Sequence, residues 1–279
     1  MHIKPKKSLG QNFLIDKNIQ RKIISACNFN SQDTLLEIGS GSGEFTQLLA
    51  KNCLKVYALE IDQRLLPLLK ENLKNDDNIE IIQTDILKFD FKRFFKKIKI
   101  NSANTKNKIK IFGNIPYYIS TPIIERVFEF RKKIDCLYLT VQKEFAQRLI
   151  ASCGSKDYAS ISCFVQYFSQ PKILFPIKRN SFYPVPGVDS VFLKISLREK
   201  APVKVKDKEL FFRIIRAAFN KRRKTLKNSL KEVLPQQNLE NFFSKFKISP
   251  NVRPERLSLD DFAKLSSCLP TGRQAGTKP

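Results

Sequence analysis

Between Thr34 and Ile195, short runs of β-branched residues alternate with segments whose apolar residues recur at three- and four-residue spacing. The first pattern predicts buried strands and the second predicts amphipathic helices. Strands that alternate with helices form a parallel sheet covered by helices, because a crossover between parallel strands needs a segment of helix length. The alternation therefore predicts an α/β fold for the larger part of the chain.

The alternating region predicts a sheet of about seven strands. Five strands are expected near Thr34–Ile38, Val56–Glu60, Ile79–Gln83, Lys110–Gly113 and Cys136–Val141. Helices are expected near Gly43–Ala50, Arg64–Leu73, Thr121–Phe130 and Lys143–Ile150. Two further runs, Pro171–Phe175 and Val191–Ser196, flank a proline-rich loop. Because proline is tolerated at the edge of a sheet, these runs predict an antiparallel hairpin there.

A polar, lysine-rich stretch from Arg198 to Lys208 separates the sheet pattern from a wholly helical one. Helices are expected there at Asp207–Phe219, Lys224–Glu232, Leu239–Phe246 and Leu259–Cys268. The 279 residues also exceed the roughly 100 to 200 of a single domain. We therefore predict an α/β domain over 1–198, a small helical domain over 207–268 and a disordered tail over 269–279.

The chain is strongly basic, with 51 lysines and arginines against 26 acidic residues and a net charge of +25. Such an excess favours a polyanionic partner, and nucleic acid is the first candidate. A membrane surface would also attract this charge. However, the sequence has no apolar run near the ~20 residues of a spanning helix and no apolar N-terminal signal. We therefore predict a cytoplasmic protein that does not bind membranes.

The cysteines and the histidine limit the chemistry available to the chain. The six cysteines include no CxxC pair, and the only histidine is His2. The spacing thus signals neither a disulfide framework nor a zinc site, and histidine acid–base catalysis is not expected. We predict a protein without a metal.

A glycine-rich turn, Glu37–Gly43, follows the first predicted strand and opens a helix. Glycine lets the backbone approach a ligand, but such a turn also begins NAD-binding folds or has no ligand at all. Glu60 lies 21 residues beyond Gly39 at a strand end, where a carboxylate can accept both hydroxyl protons of a ribose. Asp85 ends the third strand, where it suits an exocyclic amine or, equally well, a helix cap.

The most specific motif is Gly113–Tyr117, Gly-Asn-Ile-Pro-Tyr, which follows the fourth strand at the edge where α/β sheets bind ligands. The Asn114 amide oxygen and the Ile115 carbonyl can accept two hydrogen bonds from an adenine amino group, and Tyr117 offers a face for stacking. Pro116 stiffens the loop. A proline turn with a core tyrosine is the structural alternative.

Together, Gly39–Gly43, Glu60, Asp85 and Asn114–Tyr117 resemble the KsgA/RsmA family of rRNA adenine dimethyltransferases. The opening motif Ser8–Leu14 is similar to that of the family. The resemblance implies a Rossmann-like class I methyltransferase sheet over 1–198 that binds S-adenosylmethionine. The cofactor contacts that it implies are Asn12, Leu14, Gly39, Gly41, Glu60, Asp85 and Asn114.

Three later segments, Val141–Glu144, Gly154–Tyr158 and Phe182–Ser190, also resemble the rRNA dimethylases. In the family, an aromatic residue of the last segment clamps the flipped base, which implies Phe182 opposite Tyr117. The catalytic residues expected from the match are Asn114, Ile115, Pro116, Tyr117 and Phe182. Tyr118 departs from the usual spelling after the Asn-Ile-Pro-Tyr core, and Tyr183 and Gly187 depart from it in the last segment.

Basic residues are dense at the start of the helical domain, and Phe219–Leu226 resembles the C-terminal signature of the family. A run of charge is usually a solvated face, but the resemblance favours contacts to rRNA phosphates. The residues expected to make these contacts are Arg216, Lys221, Arg222, Arg223, Lys224 and Lys227.

The resemblance implies dimethylation of adenine N6, at two adjacent adenines near the 3′ end of 16S rRNA, by a monomer acting on the immature small subunit. Four alternatives are weighed against it. A macrolide-resistance methylase would modify 23S rRNA, and a non-catalytic assembly factor would keep only the fold. A DNA adenine methylase would have Asp-Pro-Pro-Tyr at 114–117, and an NAD-dependent dehydrogenase would not explain that motif.

Overall fold

A computed structural model describes residues 4–100, 108–221 and 224–268. The chain divides into two compact units, Met1–Ala146 with Gln170–Leu197, and Gln147–Ser169 with Arg198–Pro279. The sequence-based boundary kept all residues up to 198 together, whereas the structure assigns Gln147–Ser169 to the second unit. The predicted tail, 269–279, lies outside the described residues.

The first unit contains the sheet and its helices. Its elements in chain order are β1 (Phe13–Leu14), α1 (Lys17–Cys27), β2 (Thr34–Ile38), α2 (Glu44–Ala50), β3 (Lys55–Glu60), α3 (Leu66–Asn72), β4 (Ile79–Gln83), α4 (Phe91–Lys97), β5 (Ile109–Asn114), α5 (Ser120–Glu129), β6 (Ile134–Gln142), α6 (Lys143–Ile150), β7 (Ser169–Ile177), β8 (Phe182–Tyr183) and β9 (Ser190–Leu197). Helix α6 continues into the second unit, and β7 begins at the boundary.

The main sheet has seven strands in the order β4-β3-β2-β5-β6-β9-β7. Strands β2 to β6 pair in parallel, and β9 pairs with β6 in the antiparallel direction. The predicted α/β sheet is therefore confirmed. The strand order reverses between β2 and β5, and such a switch point is where open α/β sheets bind ligands, beyond the carboxyl ends of the strands.

The predicted strands and helices lie within a few residues of those observed, but three α-helices of the described residues were not predicted. They are α1, α4 and α7 (Ser160–Phe168). Helix α1 is capped by Asp16, whose carboxylate accepts from the backbone N–H groups of Asn18 and Ile19. Residues 91–97 and 160–168 are dense in aromatic and apolar residues, and such short runs fit a strand or a helix equally well.

The centre of the sheet excludes a side chain at Gly113 in β5. A methyl group there would lie 2.8 Å from Ile115 Cγ2 and 3.2 Å from the Ile38 carbonyl oxygen of β2. We expect Gly113→Ala to lower the free energy of unfolding by roughly 1 to 3 kcal/mol, the usual cost of overpacking a core. Urea unfolding would measure this loss. The control is Gly187→Ala, where a methyl group meets nothing within 4 Å; an equal loss there would contradict the explanation.

The second unit is helical around an aromatic core. Its elements are the end of α6, α7, α8 (Lys208–Asn220), α9 (Leu226–Leu230), α10 (Gln236–Phe246) and α11 (Leu259–Ser267). Tyr158, Cys163 and Tyr167 are buried in the same cluster as Phe211 and Phe262. This shared core is why 147–169 belongs to this unit: helical periodicity indicates which face is buried but does not say against what.

Candidate active site

A cavity of about 310 Å³ opens in the first unit at the carboxyl ends of β2 to β5. Its wall combines the segments that follow these strands with a segment near the N-terminus. The lining residues are 9–13, 59–61, 84–87 and 114–119, with Ile38, Gly39 and Gly41. Most of the predicted cofactor contacts are thus brought together around one cavity; the exception is Leu14.

The glycine-rich turn is held against β3. Gly39, Gly41 and Gly43 all have positive φ angles, which side chains disfavour. The Glu60 carboxylate accepts from Gly41 N–H through Oε2 and from Asp62 N–H through Oε1, both at 2.7 Å. Glu60 therefore shapes the turn in addition to lining the cavity, a contact that the sequence did not predict.

Two buried carboxyl groups lie at this turn. Burial raises the pKa of Glu60, although the backbone N–H groups of Asp62 and Gly41 lower it in part. Burial likewise raises the pKa of Glu37 to about 7, against the hydrogen bond that its Oε2 accepts from the Thr46 hydroxyl at 2.6 Å. The negative charge of Glu60 further raises the pKa of Glu37. The carboxyl groups under the turn are therefore more readily protonated than surface glutamates.

Asp85 follows β4 and begins a tight turn. Its Oδ1 accepts from Leu87 N–H at 2.9 Å, so the local cap that the sequence allowed is present. Asp85 also lines the cavity. The same turn is tied to β3, because Thr84 N–H donates to the Glu60 carbonyl at 3.0 Å. A capped carboxylate retains further acceptor positions, so the cap and a ligand contact are compatible.

Asn114 is oriented by the N-terminal segment. Its Nδ2 donates to the Asn12 carbonyl at 3.0 Å. With the amide nitrogen engaged, Oδ1 is the acceptor that Asn114 offers at the cavity. Ile115 is buried, whereas Tyr117 is half-buried and its hydroxyl lies 2.6 Å from Ser190 Oγ. Burial raises the pKa of Tyr117, so the phenol stays protonated.

A network missed by the sequence analysis holds the N-terminal segment at the cavity. Gln11 Nε2 donates to Asp62 Oδ2 at 2.9 Å, and Arg64 donates to both oxygens of the same carboxylate. We call Gln11, Asp62 and Arg64 the N-terminal latch. Its only sequence signal was a second carboxylate two residues beyond Glu60.

The latch predicts a pH-dependent stability. Hydrogen bonds from Arg64 lower the pKa of Asp62 to about 2, below the 3.8 of an ordinary aspartate. A carboxyl with a depressed folded-state pKa stabilises the fold above its unfolded-state pKa, and this contribution is lost as the pH falls through the folded value. We expect Asp62→Asn to cost roughly 1 to 2 kcal/mol at pH 7, a figure reduced for the half-exposed Arg64.

Unfolding of wild type and Asp62→Asn should be compared from pH 7 down to 2. The difference should shrink below about pH 4, because the wild-type carboxyl then approaches protonation as well. Asp77→Asn, at an exposed aspartate, serves as the control. A difference that stayed constant down to pH 2 would refute the role of the Asp62 charge.

The structure places the side chains of Leu14 and Phe182 in the core, and the contacts expected of them, to the cofactor and to the flipped base, stay predictions. Strands β1 and β8 pair with Leu14 opposite Phe182 and Phe13 opposite Tyr183. Leu14 is 4% exposed and Phe182 is 1% exposed, and both belong to a buried apolar cluster. Neither side chain lines the cavity, because opposed residues share one face of the pair and this face is packed into the core. Phe13 lines the cavity, and its strand partner Tyr183 is 58% exposed.

The basic residues predicted to bind RNA lie in the second unit. Arg216, Lys221 and Lys224 are exposed, and Lys227 is half-exposed. Lys221 pairs with Glu232 at 2.8 Å, and Lys227 is 3.9 Å from a Glu240 oxygen. Arg222 and Arg223 lie outside the described residues.

Among the side chains that the structure describes, no group of three or more histidine, cysteine, aspartate or glutamate residues is arranged to hold a metal ion. Within 4–100, 108–221 and 224–268, no helix is both long and apolar enough to cross a bilayer.

Comparison with solved structures shows the fold shared with rRNA methyltransferases. A dimethyladenosine transferase from Plasmodium falciparum is 28% identical with a TM-score of 0.72, and the match covers 91% of this chain and 95% of that one. The 23S rRNA methyltransferase ErmE is 22% identical with a TM-score of 0.70, covering 92% and 99%. The latter likeness concerns the fold alone.

Comparison with known sequences is more specific. A relative from Clostridium botulinum, named ribosomal RNA small subunit methyltransferase A, is 40% identical over 94% of this chain and 93% of its own length. A relative of the same name from Streptococcus thermophilus is 40% identical over 97% of this chain and 93% of its own length. The family model for ribosomal RNA adenine dimethylase matches residues 2–270. The chain therefore belongs to the ribosomal RNA adenine dimethylase family.

Proposed function

We propose that this protein transfers methyl groups from S-adenosylmethionine to N6 of adenines in 16S rRNA. Two adjacent adenines in the 3′-terminal hairpin, each dimethylated during small-subunit assembly, are the proposed targets. The observation that carries the proposal is the Asn114–Tyr117 loop in the wall of a cavity that Glu60 and Asp85 also line. The small-subunit assignment is supported by the names of the relatives that are 40% identical.

The cavity suits a nucleoside cofactor. Its volume of about 310 Å³ lies at the lower end of the ~300 to 1,000 Å³ of ligand pockets. The proposed contacts are Glu60 to the ribose hydroxyls and Asp85 to the adenine amine, with Asn12 and the backbone of Gly39 and Gly41 completing the site. When bound, S-adenosylmethionine supplies an electrophilic methyl group on its sulfonium.

The loop at 114–117 suits the target amine. In the proposed mechanism, Asn114 Oδ1 and the Ile115 carbonyl accept the two N6 hydrogens of the unmethylated adenine, and one of them accepts the single N6 hydrogen left for the second transfer. Pro116 keeps the two acceptors in place. The nitrogen lone pair of adenine is delocalised into the ring, so acceptors that draw N6 towards tetrahedral geometry aim this pair at the methyl group. The base must leave its stack to reach them, and Tyr117 provides the face on which it rests.

The proton released by the amine needs no strong base. Once the new N–C bond forms and the bond between the methyl group and sulfur breaks, the nitrogen carries positive charge and its proton becomes acidic enough to pass to water. Asn114 and Ile115 offer neutral acceptors, and the raised pKa of Tyr117 keeps its phenol from serving as a phenolate. The residues of the loop therefore orient the amine rather than deprotonate it beforehand.

We propose that the basic surface of the second unit binds the RNA. Its residues are Arg216, Lys221, Arg222, Arg223, Lys224 and Lys227. We expect replacing Arg216 and Lys224 together by alanine to reduce the slope of log affinity against log salt by up to about 2, because each phosphate contact adds roughly 0.7 to 1. Filter binding to small-subunit RNA would measure this slope. As a control, replacing the exposed Lys51 and Lys92 by alanine removes the same amount of charge. If the salt dependence of RNA affinity were the same in the two double variants, the basic surface would not be the RNA-binding site.

The test of function is methylation with labelled S-adenosylmethionine of unmethylated small subunits and, separately, of 23S rRNA. Mass spectrometry would map the modified adenines. Dimethyladenosine in small-subunit RNA alone supports the proposal. Label in 23S rRNA would indicate a resistance-type methylase. No label in either RNA would favour an assembly factor, whether or not the protein binds the cofactor. The proposal further expects a cytoplasmic monomer.

A further inference from the structure

Ser190 contacts Tyr117 of the Asn114–Tyr117 loop. The methyl-transfer mechanism described above does not use this contact. It is fully buried at the first position of β9, and its Oγ lies 2.6 Å from the Tyr117 hydroxyl. A buried hydroxyl that bonds a half-buried phenol restricts the phenol to one position. This contact joins the aromatic residue after β5 to a strand 73 residues further along the chain.

Ser190 is itself held on two sides. It pairs with Gln142 at the end of β6, and the carbonyl of the preceding Asp189 accepts from Lys143 N–H at 3.1 Å. The Asp189 carboxylate accepts from Arg179 N–H at 3.0 Å and lies 3.4 Å from the Lys178 ammonium. The position of Ser190 is therefore fixed by contacts to β6, to α6 and to the segment before β8.

The orientation of a base that stacks on a tyrosine depends on the orientation of the tyrosine ring. The tyrosine side chain rotates about two bonds, and the attached hydroxyl is the point farthest from the backbone, where a single hydrogen bond restrains rotation best. The reactive geometry of a bound base is sensitive to small displacements of the groups that position it. Loss of the restraint would leave the base bound but misaligned.

We propose that Ser190 is a positioning residue for methyl transfer: its hydroxyl fixes the ring of Tyr117 in the orientation that receives the target adenine. This inference rests on the proposed function for the role of Tyr117. It assigns Ser190 no contact with substrate or cofactor.

The test is a double-mutant cycle of Ser190→Ala and Tyr117→Phe, since phenylalanine keeps the stacking face but loses the hydroxyl. Each single variant should lower kcat about 5- to 20-fold, as expected for one buried hydrogen bond, with KM for the cofactor unchanged. The double variant should be no slower than the slower single one. Ser190→Thr, which retains a hydroxyl, should recover most of the rate.

A matched control is Ser169→Ala, which removes another fully buried serine hydroxyl, bonded to the Val165 carbonyl at 2.7 Å. It should leave kcat unchanged even if it lowers stability. The inference would be overturned if the fold-decrease of kcat in the double variant were the product of the two single decreases, or if Ser190→Ala kept the full kcat.

A readout independent of turnover separates this inference from the proposed function. The chain has seven tyrosines, and the fluorine NMR signal of Tyr117 in 3-fluorotyrosine-labelled protein can be assigned by its loss in Tyr117→Phe. Ser190→Ala should broaden or split this signal, because the ring gains a second orientation. An unchanged signal overturns the restraint. A changed signal in a protein that methylates no rRNA would leave the restraint intact and refute the proposed function.

Discussion

Replacing Asn114 by alanine should lower kcat for methyl transfer by roughly 10²- to 10³-fold, the usual effect of removing one preorganised group from a reaction centre. Asn114 lines the cavity and is held by the hydrogen bond that its Nδ2 donates to the Asn12 carbonyl, which leaves Oδ1 as its acceptor. Alanine removes both the acceptor and the restraint on the N-terminal segment. RNA affinity should change little, because phosphate contacts dominate it.

Single-turnover methylation of small subunits would measure the chemical step, and filter binding would measure RNA affinity. Asn52→Ala is the matched control, since Asn52 is an exposed asparagine whose amide also donates to a backbone carbonyl, that of Leu48. Unaltered single-turnover rates in Asn114→Ala would show that the amide does not orient the reacting amine.

Replacing Glu60 by glutamine should weaken cofactor binding by at least about 10-fold, because hydrogen bonds to a charged group contribute roughly 1.5 to 3 kcal/mol each. The carboxylate accepts from two buried N–H groups, those of Gly41 and Asp62. A glutamine amide offers one oxygen, so one of these donors would face an NH₂ group. The glycine-rich turn would shift, and the proposed contact to the ribose would weaken with it.

Isothermal titration with S-adenosylhomocysteine would give the affinities directly. Glu71→Gln, at an exposed glutamate paired with Lys74, should have no effect. In the wild type, affinity should fall as the pH is lowered, since the bonds to Gly41 and Asp62 require the charged carboxylate. Because burial raises the pKa of Glu60, this fall should begin at a higher pH than for a surface glutamate. Equal affinities for Glu60→Gln and wild type would refute the assigned role.

The positions of Glu60, Asp85 and Asn114 around one cavity could be predicted from the sequence. Glu60 and Asn114 end parallel strands and Asp85 follows one, and parallel strands bring their carboxyl ends to the same edge of the sheet. Local patterns were sufficient for this part of the site, because strand periodicity and strand direction together determine where the following residue lies. The same local patterns predicted helices α8 to α11 of the second unit to within a few residues, but not α7.

Contacts between distant segments were decided by the tertiary structure alone. Gln11 reaches Asp62 across 51 residues, and Tyr117 reaches Ser190 across 73. No periodicity carries such a pairing, because it depends on where loops meet after the sheet has formed. The N-terminal latch and the proposed positioning of Tyr117 therefore became visible only in three dimensions.

The face to which a side chain of a short strand points also could not be predicted from the sequence. Phe182 and Tyr183 are adjacent aromatic residues, and either one could be predicted to meet a base. Because neighbouring residues of a strand point to opposite faces, the pairing of β8 with β1 decides between them. This pairing sends Phe182 into the core beside Leu14 and leaves Tyr183 exposed. The sequence by itself thus determined the sheet, its ligand-binding edge and the polar groups there, whereas only the packing of distant segments decided which aromatic side chains remain outside the core.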